Sequence, residues 1–306
     1  MLNGPKIHGI IGACLTPFHT NGTINYDALE SEIEFIIRDA DAISIGGANA
    51  TEYTILSPEE RRELMQRGTE MVGKRLPVIV GASSPSPTHV LKLAEYAASI
   101  GAEVIQVLMP LRPWGGQPTT GELINYFTKI ASESPLPIAA YHNPSTGADP
   151  TIEALIRISE IDGVQYFKES SRDITKIGRL IEEIERSGKA YYFTTMQPLL
   201  MTLLMGGSGG MMPPPATRIG GEVVRAFRAD DLKRAIQWQR LFSWFPGKWS
   251  SYGFPPLMKS AMKYFGIDLG KPVSPYIELS PKDYGEIGQF LREAGLIANG
   301  GSQHKG

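Results

Sequence analysis

The sequence predicts an α/β fold, a closed (β/α)8 TIM barrel with a C-terminal three-helix extension. From Ile7 to about Pro214, short apolar runs alternate with amphipathic stretches of helical spacing. The apolar runs number eight, which is the number of parallel strands that closes such a barrel. Beyond Arg228 the strand-like runs stop and three helical patterns follow. Together these observations favour one barrel domain with a helical addition.

The eight apolar runs are predicted to be parallel strands. They are rich in Ile, Val, Tyr and Phe, and they are continuous rather than strictly alternating, as expected for strands that are covered on both faces. The predicted strands are 10–18, 42–46, 77–82, 104–109, 137–141, 164–168, 190–194 and 209–212.

Helix signals separate these strands. Capping side chains or initiating prolines precede the amphipathic stretches at Asn25, Ser57-Pro58, Ser86-Pro87, Thr119 and Asp149-Pro150. Three further helices are predicted at about 230–245, 255–265 and 281–294. The predicted organisation is a barrel over residues 1–228, a helical extension over 229–298 and a disordered tail over 299–306.

The composition is that of an ordinary globular enzyme. The chain is 42% hydrophobic and 20% charged, and its net charge of -2 gives no field that would favour nucleic acid or a membrane surface. One cysteine, Cys14, cannot form an internal disulfide and fits a reducing compartment. The start lacks a signal-peptide pattern, and no apolar run is long enough for a bilayer. We expect a cytoplasmic protein with a small-molecule partner.

Lys168 is the first candidate catalytic residue. It closes the predicted strand 164–168, and catalytic groups in this fold lie at the carboxyl ends of strands. Apolar neighbours would disfavour the charged amine and lower its pKa, as an attack on a carbonyl near neutral pH requires. The alternative is a strand-end lysine that reaches solvent or pairs with Glu169.

Tyr141 is the second candidate. It ends the preceding strand, and neighbouring barrel strands bring such ends within side-chain reach. A phenol beside an amine can relay protons while a carbonyl condenses with that amine. A core tyrosine that only packs is the alternative, but the pair is more specific than either residue alone.

The segments around these residues resemble a known family. The motifs are Thr16-Pro17-Phe18, Tyr141-His142-Asn143-Pro144-Ser145-Thr146-Gly147 and Phe167-Lys168-Glu169-Ser170-Ser171. They are similar to those of the dihydrodipicolinate synthase / N-acetylneuraminate lyase family, and the similarity covers nearly the whole chain. The resemblance implies that Lys168 forms a Schiff base and that Tyr141 relays protons. It also implies a homo-oligomer, a tetramer or dimer, without a metal or organic cofactor.

The chain departs from the family pattern after strand two. Family members usually carry a Gly-Thr-Thr-Gly-Glu type loop that holds the carboxylate of the 2-oxo acid, whereas this chain has Ala48-Asn49-Ala50-Thr51-Glu52. Asn49 and the backbone N–H groups of Ala50 and Thr51 are the predicted replacements. This form is similar to that of 2-keto-3-deoxy sugar acid dehydratases of the family.

Two further departures concern the rest of the substrate. Thr146 stands where the synthases carry an arginine, and the segment after Pro110 lacks the tyrosine that synthases donate to a neighbouring subunit. Arg112 in that segment is a candidate for an anionic or polyhydroxy substrate tail, with a plain surface arginine as the alternative. Thr16, Ser170 and Thr195 at strand ends are the remaining candidate substrate-binding residues.

The predicted function is that of a Schiff-base lyase acting on a 2-oxo acid, either a pyruvate-type aldolase or a 2-keto-3-deoxy sugar acid dehydratase. The alternatives are a synthase like dihydrodipicolinate synthase and a non-catalytic ligand-binding barrel. The five histidines show no metal-ligand spacing, so no metal site is predicted.

Overall fold

Eight parallel strands form a closed barrel in the order of the sequence. The structure is a computed structural model that describes residues 4–47 and 49–298, and of Asn49 the backbone alone. The fold is the predicted TIM barrel. Its strands are β1 (Gly9–Ala13), β2 (Ala42–Ile45), β3 (Val78–Gly81), β4 (Val104–Leu108), β5 (Ile138–His142), β6 (Val164–Glu169), β7 (Tyr191–Thr194) and β8 (Gly209–Met212).

A helix follows each strand and covers the barrel. These helices are α1 (Tyr26–Ile37), α2 (Pro58–Val72), α3 (Pro87–Ser99), α4 (Thr120–Glu133), α5 (Ile152–Ser159), α6 (Ile174–Leu180), α7 (Leu199–Leu204) and α8 (Ala216–Arg228). Ser57 and Thr119 form reciprocal capping boxes with Glu60 and Glu122, as their sequences indicate. The predicted start of α5 at Asp149 is wrong, because Thr151 is the N-cap and Asp149 instead contacts His142.

The first strand is shorter than predicted. It ends at Ala13, although apolar residues continue to Phe18. The N–H of Leu15 donates to Oε1 of Glu32 at 2.7 Å instead of to a neighbouring strand, and Pro17 has no N–H to offer. Hydrophobicity therefore indicated burial correctly here, but the buried segment after Ala13 is not part of the strand.

Side chains fill the barrel interior below the mouth. One buried cluster includes Ile11, Ile79, Val104, Tyr166 and Phe193, which come from five different strands. The closure between β1 and β8 requires glycine, because a Cβ on Gly209 would lie 1.8 Å from the carbonyl oxygen of Gly9. The described side chains below the carboxyl ends of the strands thus form a packed core.

The C-terminal extension has three α-helices among the described residues: α9 (Leu232–Gln239), α10 (Phe254–Lys263) and α11 (Pro281–Glu293). The helix predicted for 230–245 is interrupted, since α9 gives way to 3-10 turns at Arg240–Ser243 and Gly247–Tyr252. Pro246 and Gly247 stand in this region, where neither favours a continuous helix. Phe245 stacks on Phe290 of α11 with ring centroids 5.7 Å apart.

A buried ion pair connects the extension to the loop after β2. Nζ of Lys259 on α10 lies 2.6 Å from Oε2 of Glu52, and both side chains are 2% exposed or less. The N–H of Val273 donates to the other carboxylate oxygen at 3.2 Å. The position of α10 is thereby coupled to the loop that precedes α2.

The division of the chain at residue 228 remains a prediction, and the predicted tail 299–306 lies outside the described residues. Within the described part of the chain, no helix has the length and hydropathy of a membrane span.

Candidate active site

Lys168 and Tyr141 lie side by side at the carboxyl end of the barrel. They are register partners on β6 and β5, and both side chains are buried. Lys168 lies two residues after Tyr166, which belongs to the interior cluster. Because side chains two residues apart on a strand point to the same face, the side chain of Lys168 also points into the barrel. The sequence placed these two residues at neighbouring strand ends, and the strand register brings them together.

The amine of Lys168 is surrounded by neutral acceptors. Nζ donates to the carbonyl oxygen of Thr194 at 2.7 Å and to Oγ of Ser170 at 3.0 Å. Burial lowers the pKa of Lys168 from 10.5 to about 7, against the opposing effect of Glu169. A large share of the amine is therefore neutral at physiological pH, and a neutral amine can attack a carbonyl carbon.

The phenol of Tyr141 has polar partners on one side. Its oxygen accepts a hydrogen bond from Nδ2 of Asn143 at 2.9 Å. Burial raises the pKa of Tyr141, while Asn143 and Ser170 counteract part of the rise. Ser170 thus lies between the amine and the phenol, and three groups with exchangeable protons stand within one small space.

A cavity of about 220 Å³ opens above the amine. Its lining includes the predicted residues Ala50, Tyr141, Lys168, Ser170 and Thr195, together with three methionines that form an apolar wall. No acidic side chain belongs to the described lining. The cavity therefore combines one reactive amine, several hydroxyl groups and apolar surface, which suits a small acid with polar substituents.

The loop after β2 is supported from below. Asn49 begins a 3-10 turn that ends at Thr51, and its side chain is outside the described part of the structure. Thr16 donates from its hydroxyl to the carbonyl oxygen of Thr51, and both threonines are fully buried. Thr16 and Thr51 are absent from the described cavity lining, so the structure places them behind the loop, whereas Ala50 faces the cavity.

His142 occupies a buried position behind the site. Its Nδ1 lies 3.0 Å from Glu169 and its Nε2 lies 3.0 Å from Asp149. Burial opposes ionisation of Glu169, but hydrogen bonds from His142 and Ser171 lower the pKa of that carboxyl overall. This network connects β5 to β6 and holds Glu169 away from Lys168. The alternative interpretation of Lys168 as the structural partner of this carboxylate therefore finds no support in the geometry.

The structure does not bring Arg112 to the cavity. Its guanidinium pairs with Glu122 at 2.9 Å on the protein surface, beside a separate groove. Arg172 does line the cavity, although it is not among the residues predicted from the sequence. Its backbone has a φ of 64°, an uncommon conformation for a residue with a side chain. The one feature of the sequence that could have indicated Arg172 is its position four residues after Lys168, within the loop that follows β6.

The C-terminal extension supplies part of the cavity wall. This contribution was not predicted from the sequence. Gly253, Phe254 and Tyr276 belong to the cavity lining. Gly253 has a φ of 84°, and a Cβ there would lie 2.7 Å from the Tyr276 ring, so glycine permits this approach. No apolar periodicity distinguishes such residues from ordinary packing residues.

The described residues include no cluster of three or more acidic, histidine or cysteine side chains arranged to hold a metal ion. The polar groups that do converge are those of Lys168, Tyr141, Asn143, Ser170 and Arg172. Each of these groups can form hydrogen bonds with an organic substrate, and the amine, the phenol and the hydroxyl can also exchange protons with it.

A closed (β/α)8 barrel with a buried, low-pKa lysine beside a tyrosine at its carboxyl end has the architecture of a class I lyase. The model of the dihydrodipicolinate synthetase family matches residues 6–294. The chain belongs to this family and is an enzyme, a lyase of the Schiff-base, class I aldolase type.

Individual relatives agree with this assignment. A 4-hydroxy-tetrahydrodipicolinate synthase of Ralstonia nicotianae is 33% identical over 189 residues, which cover 61% of this chain and 63% of that protein. The enzyme of the same name from Thermoanaerobacter pseudethanolicus is 28% identical over 96% of this chain and 98% of its own length. In fold, the chain is similar to a prophage protein of the dihydrodipicolinic acid synthase family from E. coli K12, solved with pyruvate. That comparison has a TM-score of 0.86 at 20% identity and covers 95% and 99% of the two chains.

Proposed function

We propose that this enzyme binds a 2-oxo acid as a Schiff base on Lys168 and acts as a pyruvate-type aldolase or a 2-keto-3-deoxy sugar acid dehydratase. The observation that carries the proposal is the buried Lys168 amine, with its pKa of about 7, beside Tyr141 in one cavity. A fully protonated surface lysine would be a poor nucleophile.

The proposed chemistry uses groups that are already in contact. The neutral amine of Lys168 adds to the ketone carbon, and the oxygen leaves as water after protonation, giving an iminium ion. Tyr141 donates and recovers the protons, and Ser170 connects it to Lys168. The backbone N–H groups around Ala50 bind the carboxylate of the 2-oxo acid. In cleavage, the iminium accepts the electron pair of the broken carbon–carbon bond. In dehydration, a base removes a proton from C3, the iminium accepts that C–H electron pair, and the resulting enamine expels the protonated C4 hydroxyl as water.

The synthase reaction is the second candidate, because the curated relatives carry that name. Against it, Thr146 stands in the cavity lining where the resemblance implies an arginine, and Ala50 replaces a hydroxyl-bearing residue. We therefore favour cleavage or dehydration. Purified enzyme supplied with pyruvate and an amino acid semialdehyde is expected to form no 4-hydroxy-tetrahydrodipicolinate, the cyclic product in the name of these relatives, and steady formation of that product would favour the synthase.

The Schiff base is testable directly with pyruvate, the ligand present in the E. coli relative. Incubation with pyruvate and sodium borohydride is expected to add one reduced pyruvyl group per chain, visible by intact-mass spectrometry, with peptide mapping placing it on Lys168. Borohydride alone serves as the control. Absence of a pyruvate-dependent mass increase over a wide concentration range would contradict the proposal.

The rate of adduct formation is expected to follow the titration of Lys168. Below a pKa of about 7 the amine is protonated and unreactive, so each pH unit should reduce the initial rate about tenfold, with a plateau above that pKa. The initial rate of pyruvate trapping with cyanoborohydride between about pH 5 and pH 9 measures this profile. Nα-acetyl-lysine, measured in parallel, corrects for the reductant. A rate that continues to climb at the alkaline end would indicate an ordinary lysine instead.

Replacement of Tyr141 by phenylalanine is expected to slow iminium formation by about 100-fold or more, because the proton relay is lost. Tyr166→Phe is the matched control. It also removes a buried hydroxyl, but one that donates to the carbonyl oxygen of Pro5 at the opposite end of the barrel. Single-turnover trapping of pyruvate by both variants separates the relay from a general loss of packing. Equal rates for the two variants would remove Tyr141 from the mechanism.

The family comparison leaves subunit organisation and location open, and we propose a cytoplasmic homo-oligomer, a tetramer or dimer, that acts without a cofactor. Large apolar side chains at the surface, among them Trp114, Trp244 and Ile277, support association. Light scattering coupled to size-exclusion chromatography measures the mass directly.

A further inference from the structure

Arg172 provides a positive charge at the cavity mouth that Schiff-base chemistry does not require. Its side chain lines the same cavity as Lys168 and Tyr141. Arg172 lowers the pKa values of both residues, which indicates that its charge lies close to them. Lys168 and Arg172, the two basic side chains of the described lining, therefore stand together without an acidic side chain among their lining neighbours.

The guanidinium of Arg172 is held in place without being neutralised. Its Nε donates to Oε1 of Gln197 at 2.9 Å, and its Nη1 donates to the carbonyl oxygen of Ser170 at 3.3 Å. Within the described residues, no carboxylate forms an ion pair with Arg172 and no acceptor is bonded to its Nη2. The two anchors orient the guanidinium and leave part of its donor fork available to a ligand.

Arg172 and Lys168 both donate hydrogen bonds to Ser170. Nζ of Lys168 donates to Oγ of Ser170, and Nη1 of Arg172 donates to the carbonyl oxygen of the same serine. Two groups that contact one serine lie at most about 10 Å apart, which is within reach of the chain of a small organic acid. The positive φ of Arg172 turns the chain at this point and is the sort of uncommon conformation found at binding sites.

We propose that Arg172 binds a second carboxylate at the far end of the substrate, so that the preferred substrate is a 2-oxo acid with two carboxylates. This inference rests on the proposed Schiff base at Lys168. The first carboxylate lies at the loop around Ala50, the ketone at Lys168, and the distal carboxylate at the donor fork of Arg172. A planar carboxylate matches the geometry of a guanidinium, whereas a neutral hydroxyl tail would leave the cation without a counter-charge.

Arg172 does not restore the arginine that the resemblance implies at Thr146. Both Thr146 and Arg172 line the cavity, but Arg172 belongs to the loop after β6, whereas Thr146 belongs to the loop after β5. Arg112, the candidate that the sequence offered for the substrate tail beside the alternative of a plain surface arginine, pairs with Glu122 outside the cavity.

The test compares two six-carbon acids that differ only at the distal end, 2-oxoadipate with a carboxylate and 2-oxohexanoate with a methyl group. Each is trapped on the enzyme with cyanoborohydride, and the concentration for half-maximal modification is read from intact mass. In the wild type we expect about a tenfold lower value for 2-oxoadipate, the size of one charge-assisted hydrogen bond to an ionised group. In Arg172→Gln this ratio should fall to about one, and Arg172→Lys should retain part of it.

Arg112→Gln is the matched control, because it removes an arginine charge outside the cavity and should leave the ratio as in the wild type. A wild-type ratio near one, a ratio that survives Arg172→Gln, or a ratio lost in Arg112→Gln would each overturn the inference. Pyruvate is trapped in parallel. Modification by pyruvate without a preference for 2-oxoadipate contradicts the role of Arg172 alone, whereas no modification by any of the three acids contradicts the Schiff base itself.

Discussion

The Lys168→Ala variant is expected to form no pyruvate adduct and to lose at least about 1,000-fold in turnover of any substrate, because the covalent intermediate cannot form. Lys168 is the only amine that the structure places within the cavity lining, as far as the residues are described. Intact-mass spectrometry after pyruvate and borohydride treatment measures the adduct, and a screen of aldol and dehydration substrates measures turnover.

Lys189→Ala provides the matched control for this variant. Lys189 is a partly exposed lysine that pairs with Glu160 at 2.9 Å, at the opposite end of the barrel from the cavity. It should trap pyruvate as the wild type does, and circular dichroism should show that both variants keep the fold. A pyruvate adduct that persists in Lys168→Ala and maps to another lysine would refute the assignment.

The Lys259→Met variant is expected to lower the free energy of unfolding by about 3 to 5 kcal/mol, because it leaves the buried charge of Glu52 without its partner. Methionine keeps most of the volume, so the loss measures the missing charge more than a cavity. Nζ of Lys259 also lies 4.7 Å from the centre of the Phe18 ring, a contact that the variant removes. Urea unfolding followed by circular dichroism gives the free energy.

Two further variants make this result specific. Lys263→Met removes a lysine from the same helix, but Lys263 is partly exposed and lies 3.6 Å from a solvated Asp268, so a change under about 0.5 kcal/mol is expected. The double variant Glu52→Gln with Lys259→Met removes both charges and should recover more than half of the lost stability. The role of the ion pair is disproved if Lys259→Met and Lys263→Met unfold at the same urea concentration.

The ion pair also connects stability to the site. Glu52 follows Thr51 directly, and Thr51 supports the loop that presents Ala50 to the cavity. Lys259 lies on α10, whose first residues include Phe254 in the cavity wall. Loosening this contact would displace both walls of the cavity, so we expect Lys259→Met to bind pyruvate more weakly than the Lys263→Met control.

The sequence was sufficient for the barrel because the strand signal is local. Eight continuous apolar runs between capped helices predict parallel strands regardless of what each one touches, and all eight strands lie where the pattern predicts them. Boundaries were less predictable. The first strand ends at Ala13 because Glu32, distant in sequence, takes the N–H of Leu15.

The candidate site also has residues that were predictable from the sequence and residues that were not. Lys168 and Tyr141 were predictable because a strand end in this fold points at the site. Thr16 was selected for its hydroxyl, but it supports Thr51 from behind, which depends on the path of the chain after β1. Arg112 and Arg172 look alike as loop arginines, and only the partners available in space, Glu122 for one and the cavity for the other, separate them.

By itself, the sequence determined the class of fold, the strand ends that carry the lysine and the tyrosine, and the type of chemistry that such a pair performs. The tertiary structure alone decided which polar side chains face the cavity, that the extension forms part of its wall, and that Glu52 pairs with Lys259. The physical reason is the separation along the chain of the groups that interact. Hydrophobic periodicity and capping act between near neighbours, whereas a lowered pKa, an unpaired cation and a buried ion pair depend on groups that meet only after the chain has folded.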